Sequence, residues 1–374
     1  MISAHDLRGS VAGRSDPTHP RFDFWLLLSA VVLVIVGMMA LYSVGSADKD
    51  FSLFRKQGLL LLVGLVPFFI FLFVDPAFWR KISGWLYAAN VAFLGLVLFK
   101  GANIKGATRW IEVGGFQFQP SEIAKLLVIL TLAAFYANRM DEIKRFSTFV
   151  LSLIYIAPPL FLIYEQPHLG STIVILVAWA GISICAGVPW RFLVTFAALA
   201  VALFVGAYST GKLRSYQVPR IAALFGADEK KEGYQQLRAT VAIGVGGVGG
   251  TGYLKGEQKS QVPEHHNDFI FSVIGEEGGL VGCTMVLAAF SFFFYRAWLV
   301  LYHGEDPYTR MIAAGILSVL AFHTVLNLGM NLNLMPVVGL WLPFLSYGGT
   351  AMWLCLSCVA LLLNLARRER VMKF

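Results

Sequence analysis

Charged side chains are scarce in this chain of 374 residues, because Asp, Glu, Lys and Arg together make up only 14% of it. A soluble globular domain carries about 25%, and a soluble fold of this size could not cover its surface with so few charges. Hydrophobic residues make up 57%, and the mean hydropathy is +0.68. The composition excludes a soluble enzyme and a disordered chain, and it predicts a polytopic membrane protein.

Cysteine is also scarce, and the four cysteines all lie inside apolar runs: Cys185, Cys283, Cys355 and Cys358. This placement excludes a secreted disulfide scaffold. Cys355 and Cys358 are three residues apart but have no nearby histidine or acid for a metal site. We therefore expect them to pack as small apolar residues.

Apolar runs long enough to cross a bilayer recur along the chain. About 30 Å of hydrocarbon at about 1.5 Å per residue requires roughly 20 residues. The sequence predicts an all-α integral membrane fold of about ten transmembrane helices, with a long loop at residues 209–267 between the seventh and eighth. The predicted spans are 23–43, 57–74, 82–99, 122–137, 147–164, 169–187, 190–208, 268–295, 310–332 and 344–366. The first follows a polar stretch without a cleavage site, so we expect a retained helix rather than a signal peptide.

The distribution of basic residues predicts the orientation. Ten spans put both termini on one side, and if that side is cytoplasmic, the termini and inner loops hold 15 Lys and Arg. The short outer loops hold 6, and the long loop holds 8 but is exempt from the positive-inside rule. The prediction is a polar cytoplasmic tail (1–21), a polytopic membrane domain (22–366) whose long loop lies outside, and a basic cytoplasmic tail (367–374). The net charge of +8 also suits contact with anionic lipid or substrate.

Two ionisable residues lie at the start of the fourth span. Polar groups inside a membrane are costly unless paired, so they are functional candidates. Glu122 and Lys125 are three residues apart, share one helix face and can form an ion pair. Two interpretations are open: the pair holds the helix bundle together, or it orients a functional site.

A polar string at residues 263–268 ends in Asp268, where the eighth span begins. We therefore expect this carboxylate at the outer membrane boundary, although an acid here could also serve as a helix N-cap. The face below it carries almost no side chains, because it is formed by Ser272, Gly275, Gly279 and Gly282. Either another helix packs closely there, or a groove for a chain-like ligand opens there. The adjacent His265 and His266 do not predict a metal site, since neighbouring histidines rarely chelate one ion together.

A glycine-rich run, residues 244–252, contains the spacing GxGxxG twice. A dinucleotide site would also need a preceding strand, a following helix and an acid about 20 residues on. The run lies in a predicted outer loop, so we reject that function and expect backbone that packs closely on helices or ligand. In the ninth span, His323, Asn327 and Asn331 form one polar stripe, for which interhelical hydrogen bonds are the expectation.

Six segments of the chain form a recognisable set: Lys105-Gly-Ala-Thr-Arg-Trp-Ile, Gln119-Pro-Ser-Glu-Ile-Ala-Lys, Gln166-Pro-His-Leu-Gly-Ser-Thr, residues 263–272, Pro336-Val-Val-Gly and Leu345-Ser-Tyr-Gly-Gly. Together they resemble the SEDS family of cell-wall synthases. The resemblance covers about residues 20 to 366, in the family's order and spacing. The Gln166-Pro167 form and the short tails are most similar to the elongation branch, and the division branch is close. His168 departs from the family's usual aspartate.

The resemblance implies a peptidoglycan glycosyltransferase that polymerises lipid II at the outer face of the bacterial cytoplasmic membrane. Asp268 falls on the family's catalytic aspartate, and Glu122 and Lys125 fall on its important intramembrane pair. Supporting or substrate-binding roles are expected for Lys105, Arg109, Arg214, Arg220, His266 and Ser346. The implied cofactor is a divalent cation, Mg²⁺ or Mn²⁺, whose ligands the sequence does not identify. The implied partners are a class B penicillin-binding protein and other elongation-complex membrane proteins; no nucleic acid is expected.

The reaction implied by the family converts an α-linked glycosyl diphosphate into a β-linked glycan, so the configuration at the anomeric carbon is inverted. One inverting displacement needs a single base, and Asp268 meets that requirement. The leaving diphosphate needs positive charge, for which Lys105 and Arg109 are the best candidates, with Arg214 and Arg220 behind them. The alternative for all four is a charge that faces solvent or lipid headgroups.

Two other classes of protein are also compatible with ten transmembrane helices. A transporter or lipid II flippase should bind its substrate near the bilayer midplane between repeated halves. Asp268 is instead expected at the boundary, and no internal repeat is visible. A scaffold for partner enzymes would require neither the acid nor the cationic loop.

Overall fold

The computed structural model describes residues 22–100, 102–104, 107–113, 116–166, 168–209 and 232–369. This part of the chain is built mainly from α-helices, with a small antiparallel sheet. The helices are α1 (Phe24–Asp48), α2 (Ser52–Phe73), α3 (Pro76–Lys81), α4 (Ser83–Lys100), α5 (Pro120–Ala137), α6 (Phe146–Glu165), α7 (Leu169–Ala186), α8 (Trp190–Ser209), α9 (Glu232–Gly246), α10 (Ile270–His303), α11 (Pro307–Asn331) and α12 (Gly349–Glu369).

Eight of these helices are long and apolar enough to cross a membrane, namely α1, α2, α5, α6, α7, α10, α11 and α12. Two shorter apolar helices, over Ser83–Leu98 and Trp190–Ala202, coincide with the predicted spans 82–99 and 190–208. The polytopic helical fold is thus confirmed. Helices α5, α11 and α12 are mostly buried and form the centre of the bundle, whereas only 28% of the apolar stretch of α2 and 33% of that of α6 are buried.

One end of the bundle gathers the connections that carry the predicted site. We call it the loop end and define it by the sheet at residues 102–118, the turn at residues 262–269 and the connection at residues 332–348. The turn and the connection are joined by a hydrogen bond from the Tyr347 N–H to the His266 carbonyl, 2.9 Å long. The sheet has three antiparallel strands in sequence order, β1 (Ala102–Ile104), β2 (Ala107–Val113) and β3 (Phe116–Phe118), which the sequence analysis did not predict.

Helix α10 is interrupted at Gly279, whose backbone angles are φ 59° and ψ −157°. Only glycine adopts this region readily. In a continuous helix the N–H groups of Leu280 and Val281 would donate to the carbonyls of Glu276 and Glu277. The break leaves these four groups without helical partners, and buried backbone groups require replacements.

The glycine turn, residues 247–252, supplies all four replacements. It follows α9, a helix inside the segment 209–267 that the sequence analysis did not predict. The new bonds are Leu280 N–H to Gly247 O (2.9 Å), Val281 N–H to Val248 O (3.2 Å), Thr251 N–H to Glu276 O (2.9 Å) and Gly252 N–H to Glu277 O (3.1 Å). The turn is therefore inserted into the break of α10.

Glycine is required on both sides of this contact. On the turn, a Cβ atom on Gly250 would lie 2.0 Å from the Glu277 carbonyl oxygen, and on α10 a Cβ atom on Gly279 would lie 2.4 Å from the Gly250 nitrogen. Of the two alternatives for the small-residue face below Asp268, the structure has the close packing of backbone, around Gly275 and Gly279. The expected role of the glycine-rich run in close packing is confirmed.

Candidate functional site

Asp268 lies in the turn at residues 262–269, directly before α10, and is half-buried. We call this segment the Asp268 turn. The N-cap of α10 is Phe269, so Asp268 precedes the helix and does not occupy the cap position. A Cβ atom on Gly339 would lie 3.7 Å from Asp268 Oδ2. The carboxylate therefore lies beside the main chain of the connection 332–348.

The polar stripe of α11 holds the main chain of the Asp268 turn. The side-chain amide of Asn327 donates to the Asp268 carbonyl at 2.8 Å and to the Leu340 carbonyl at 2.7 Å. The amide of Asn331 donates to the same Asp268 carbonyl at 3.0 Å. Both asparagines are fully buried. The two asparagines were expected to bond to another helix, but these bonds reach the turn and the connection instead, and two of them end on the main chain of the candidate catalytic residue.

The connection 332–348 holds the turn from another side. The Ser346 hydroxyl accepts from the Leu342 N–H at 2.8 Å and donates to the Asn267 carbonyl at 2.7 Å. The His266 carbonyl accepts the Tyr347 N–H. Ser346 and His266, two residues expected to support the site, thus flank Asp268, Ser346 through its side chain and His266 through its backbone.

Glu122 and Lys125 form the ion pair that their spacing predicted. Lys125 Nζ lies 2.7 Å and 2.9 Å from the two carboxylate oxygens, and both residues are buried. Trp341 Nε1 donates to Glu122 at 3.0 Å, and Lys125 Nζ lies 3.2 Å from His323 Nε2. An ammonium group can only donate, so His323 accepts at Nε2 and carries its proton on Nδ1, 3.3 Å from the Trp341 carbonyl.

The ion pair and the Asp268 turn are held by the same two elements. His323 and Asn327 are one helical turn apart on α11, and their partners Trp341 and Leu340 are neighbours in the connection 332–348. A shift of either element would therefore move both the pair and the turn. This shared support favours the interpretation in which the pair orients the site.

The predicted cationic residues are only partly within the described chain. Arg109 lies on β2, and its Nε donates to the Gln166 carbonyl at the end of α6, at 3.0 Å. Lys105, Arg214 and Arg220 lie outside the described residues. The structure thus places one of the four diphosphate candidates at the loop end, beside the connection between α6 and α7.

The histidines before Asp268 have other partners. His265 Nδ1 lies 2.7 Å from the Val262 carbonyl, and its Nε2 lies 3.3 Å from the Asp48 carboxylate. His266 Nε2 lies 3.9 Å from Glu264 Oε2. Within the residues that the structure describes, no three His, Cys, Asp or Glu side chains form a metal-binding group.

His168, which departs from the family's usual aspartate, is the N-cap of α7. Its Nδ1 accepts the Ser171 N–H at 3.0 Å. Aspartate is among the best N-cap residues, since its side chain accepts from the same backbone donors. The histidine therefore performs the capping that an aspartate would perform at this position.

The sequence analysis missed a second buried ionic group, formed by Lys259, Glu276 and Glu277, whose exposures are 1%, 0% and 8%. Glu276 and Glu277 are adjacent carboxylates inside the predicted span 268–295. The rule that singled out Glu122 applies equally to them.

Comparisons with known proteins give a consistent result. A family model for FtsW, RodA and SpoVE, described as "Cell cycle protein", matches residues 20–371. A protein of Geobacter sulfurreducens named "Probable peptidoglycan glycosyltransferase FtsW" is 32% identical over 360 residues, which cover 93% of this chain and 96% of that protein. The "Peptidoglycan glycosyltransferase MrdB" of Escherichia coli K12 is 30% identical over 351 residues, 93% of this chain and 94% of that one.

A solved structure is also similar. It comes from work described as "Structural coordination of polymerization and crosslinking by a peptidoglycan synthase complex". One chain of that complex superposes on this protein with a TM-score of 0.82 at 30% sequence identity. The match covers 94% of this chain and 99% of that one. The similarity therefore extends over the whole bundle.

Proposed function

Because the chain belongs to the FtsW, RodA and SpoVE family, we propose that it is a peptidoglycan glycosyltransferase that polymerises lipid II, with Asp268 as the general base. One observation carries the assignment of the base. Asp268 is a half-buried carboxylate on a turn whose main chain is fixed by Asn327, Asn331 and Ser346. A fixed carboxylate at the end of a membrane bundle can meet a substrate whose sugar lies in water and whose tail lies in lipid.

The proposed reaction is an inverting displacement at the anomeric carbon of the donor. The oxygen of the acceptor 4-hydroxyl attacks the anomeric carbon while the Asp268 carboxylate takes the hydroxyl proton. The lipid diphosphate leaves with the electrons of the bond that breaks. A single displacement requires no carboxylate nucleophile. A positioned base of this kind contributes about 10² to 10⁴ in rate.

The leaving diphosphate needs positive charge. Arg109 is the described candidate, since a guanidinium can bind phosphate oxygens by two hydrogen bonds. Its half-buried side chain is already oriented by the Gln166 carbonyl. Lys105, Arg214 and Arg220 remain candidates from the sequence.

A divalent cation belongs to the same proposal. Mg²⁺ is usually held by one or two carboxylates together with substrate phosphates, so a group of three protein ligands is not required. Asp268 is a described carboxylate at the loop end that would fit such a shared site, and water and the diphosphate would complete the ligands. A bound cation would neutralise charge on the leaving diphosphate.

The proposed setting is the bacterial cytoplasmic membrane, with both termini in the cytoplasm and the loop end outside. The excess of basic residues in the predicted inner loops supports this orientation. A class B penicillin-binding protein that cross-links the new strand is the proposed partner. The similar chain in a peptidoglycan synthase complex supports an assembly of this kind.

The test is polymerisation of labelled lipid II by the purified protein in detergent, without and then with the transpeptidase. We expect glycan polymer from the wild type and none from Asp268→Ala that elutes as a folded protein. A flippase or a scaffold yields no polymer, and transport has no readout in detergent. Normal polymer from Asp268→Ala would overturn the assignment of the base.

The cellular role needs a separate experiment, because the sequence identity to a protein named FtsW, 32%, is close to that to one named MrdB, 30%. We propose a role in elongation, on the Gln166-Pro167 form of the sequence. Depletion in a rod-shaped host should then produce round cells. Filamentous cells would assign the protein to division instead.

A further inference from the structure

Two adjacent carboxylates lie on α10 just before its break at Gly279. Glu276 is fully buried, and Glu277 is nearly so. A buried carboxylate inside a membrane helix is costly unless its charge is compensated. The compensation of both comes from the chain that precedes Asp268.

Glu276 binds the backbone of that preceding segment. Its Oε1 accepts the Gln258 N–H and its Oε2 accepts the Lys259 N–H, each at 2.7 Å. A Cβ atom on Gly256 would lie 2.7 Å from the Glu276 carboxyl carbon, so the backbone passes directly over the acid. Both carboxylate oxygens are thus used to hold residues 256–259.

Glu277 binds the side chain of the same segment. Its carboxylate forms an ion pair with Lys259 Nζ. Ser43 on α1 lies between them, since its hydroxyl accepts from Lys259 Nζ at 2.6 Å and donates to Glu277. The pair therefore joins three elements: the segment before Asp268, α10 and α1.

Asp268 lies at the middle of the loop that these contacts close. Lys259 precedes it by nine residues, and Glu277 follows it by nine. The Asp268 turn is held at its tip by α11 and the connection 332–348, and at its base by these contacts. We propose that Lys259, Glu276 and Glu277, the ionic cluster, are positioning residues that fix the Asp268 carboxylate for the reaction.

This positioning role rests on the proposed function. It differs from simple stabilisation of the bundle in how the activity should respond to substitution of the pair. A pair that only stabilised the bundle could be replaced by apolar side chains without loss of activity, since such replacements of buried pairs are often neutral or better. A positioning pair cannot, because a displacement of about 1 Å can cost about 10²-fold in rate.

The chain offers a matched control on the same two helices. Asp23 at the start of α1 pairs with Arg296 on α10, with 2.6 Å between Oδ2 and Nη2. This pair also joins α1 to α10, but Arg296 lies 17 residues beyond the break at Gly279, about 25 Å at the helical rise. Arg296→Met removes an ion pair between α1 and α10 without affecting the Asp268 turn.

The experiment compares the full-length wild type with Lys259→Met, Glu277→Gln, the double variant Lys259→Met/Glu277→Met, Ser43→Ala and Arg296→Met. Melting temperature, kcat and the KM for lipid II are measured for each, with rates normalised to folded protein. Ser43→Ala removes one hydroxyl and no charge, so it provides a folded variant even if the single charge changes do not fold.

We expect both single charge changes to lower the melting temperature and kcat. In the double variant the melting temperature should recover towards the wild type, while kcat stays about tenfold to a hundredfold lower with KM within about twofold. Ser43→Ala should lower kcat by a smaller factor. Arg296→Met should lower the melting temperature and leave kcat unchanged.

Wild-type kcat in both the double variant and Ser43→Ala would overturn the positioning role and leave the cluster a stabilising contact. A fall in kcat with Arg296→Met equal to that of the double variant would also overturn it. Asp268→Ala, measured in parallel, separates the two proposals. If the wild type polymerises and Asp268→Ala does not, the proposed function stands whatever the ionic cluster shows.

Discussion

The side-chain amide nitrogen of Asn327 lies 2.8 Å from the main-chain carbonyl oxygen of Asp268. The same nitrogen lies 2.7 Å from the carbonyl oxygen of Leu340. One buried amide on a central helix thus joins the turn that carries the candidate base to the connection 332–348. The bond holds Asp268 through its main chain, so the role of Asn327 is separable from the chemistry of the carboxylate.

Asn327→Leu should impair both stability and catalysis. It leaves the buried Leu340 carbonyl without this donor, which costs about 1–3 kcal/mol. It also removes one of the two side-chain amides that donate to the Asp268 carbonyl. We expect kcat to fall about tenfold or more, and polymerisation of labelled lipid II with a thermal-unfolding scan measures both effects.

The control is Asn364→Leu. The Asn364 amide likewise joins two carbonyls, those of Phe71 and Val74, at 2.9 Å and 2.7 Å, but at the opposite end of the bundle. It should lower stability by a similar amount and leave kcat per folded molecule unchanged. Equal losses of kcat in both variants would show that Asn327 has no special link to the site.

Lys125→Met should strongly destabilise the protein. It leaves the Glu122 carboxylate buried without its cation, and such a loss costs about 3–5 kcal/mol. Arg145→Met is the matched change, because Arg145 and Glu142 are also three residues apart but their side chains are 66% and 48% exposed. An exposed pair contributes less than about 1 kcal/mol. Similar melting temperatures for the two variants would contradict the compensation described for Lys125.

Gly279→Ala should prevent correct folding of α10. A Cβ atom there would lie 2.4 Å from the Gly250 nitrogen, and the backbone has φ 59°. Gly278→Ala is the neighbouring control, since a Cβ atom at Gly278 meets nothing within 4 Å. The yield of monodisperse protein should collapse for the first variant and be retained for the second. Retention of Gly279→Ala at wild-type yield would mean that the glycine turn can be displaced from the break.

His168→Asp should preserve both stability and activity, because aspartate can accept the Ser171 N–H in place of Nδ1. His168→Ala removes the cap of α7 and should cost about 1 kcal/mol. Thermal unfolding of the two variants beside the wild type measures the difference. A large loss of polymerisation in His168→Asp at wild-type stability would reveal a role of the imidazole beyond capping.

Chelation of divalent cations should stop polymerisation without unfolding the protein. Asp268 would hold the cation together with the substrate diphosphate, so the cation should contribute to the reaction and little to the fold. EDTA should abolish polymer formation, added Mg²⁺ or Mn²⁺ should restore it, and the melting temperature should not move. Full activity in EDTA would remove the cation from the proposal.

The membrane class and the pairing of Glu122 with Lys125 were accessible from the sequence. Each depends on local terms: apolar length against bilayer thickness, and spacing on one helical face. The capping function of position 168 was not accessible, because nothing in the sequence shows that the histidine side chain turns back onto its own helix.

The interruption of α10 could be decided only by the tertiary structure. The glycines at 275 and 279 are compatible with a continuous helix against a groove, and equally with a broken one. The broken helix is stable because a turn distant in sequence supplies two donors and two acceptors at the right positions. Such hydrogen bonds depend on the approach of two backbones, which leaves no periodicity in either segment.

The sequence by itself determined that Asp268 stands at the mouth of a span in a chain with few charged residues. The tertiary structure decided what holds it there. Asn327, Ser346 and Lys259 are separated from Asp268 by 59, 78 and 9 residues, and each contact depends on long-range packing rather than on local spacing. A polar side chain buried in a helix bundle must find its partner wherever the fold brings one, and only the fold fixes that partner.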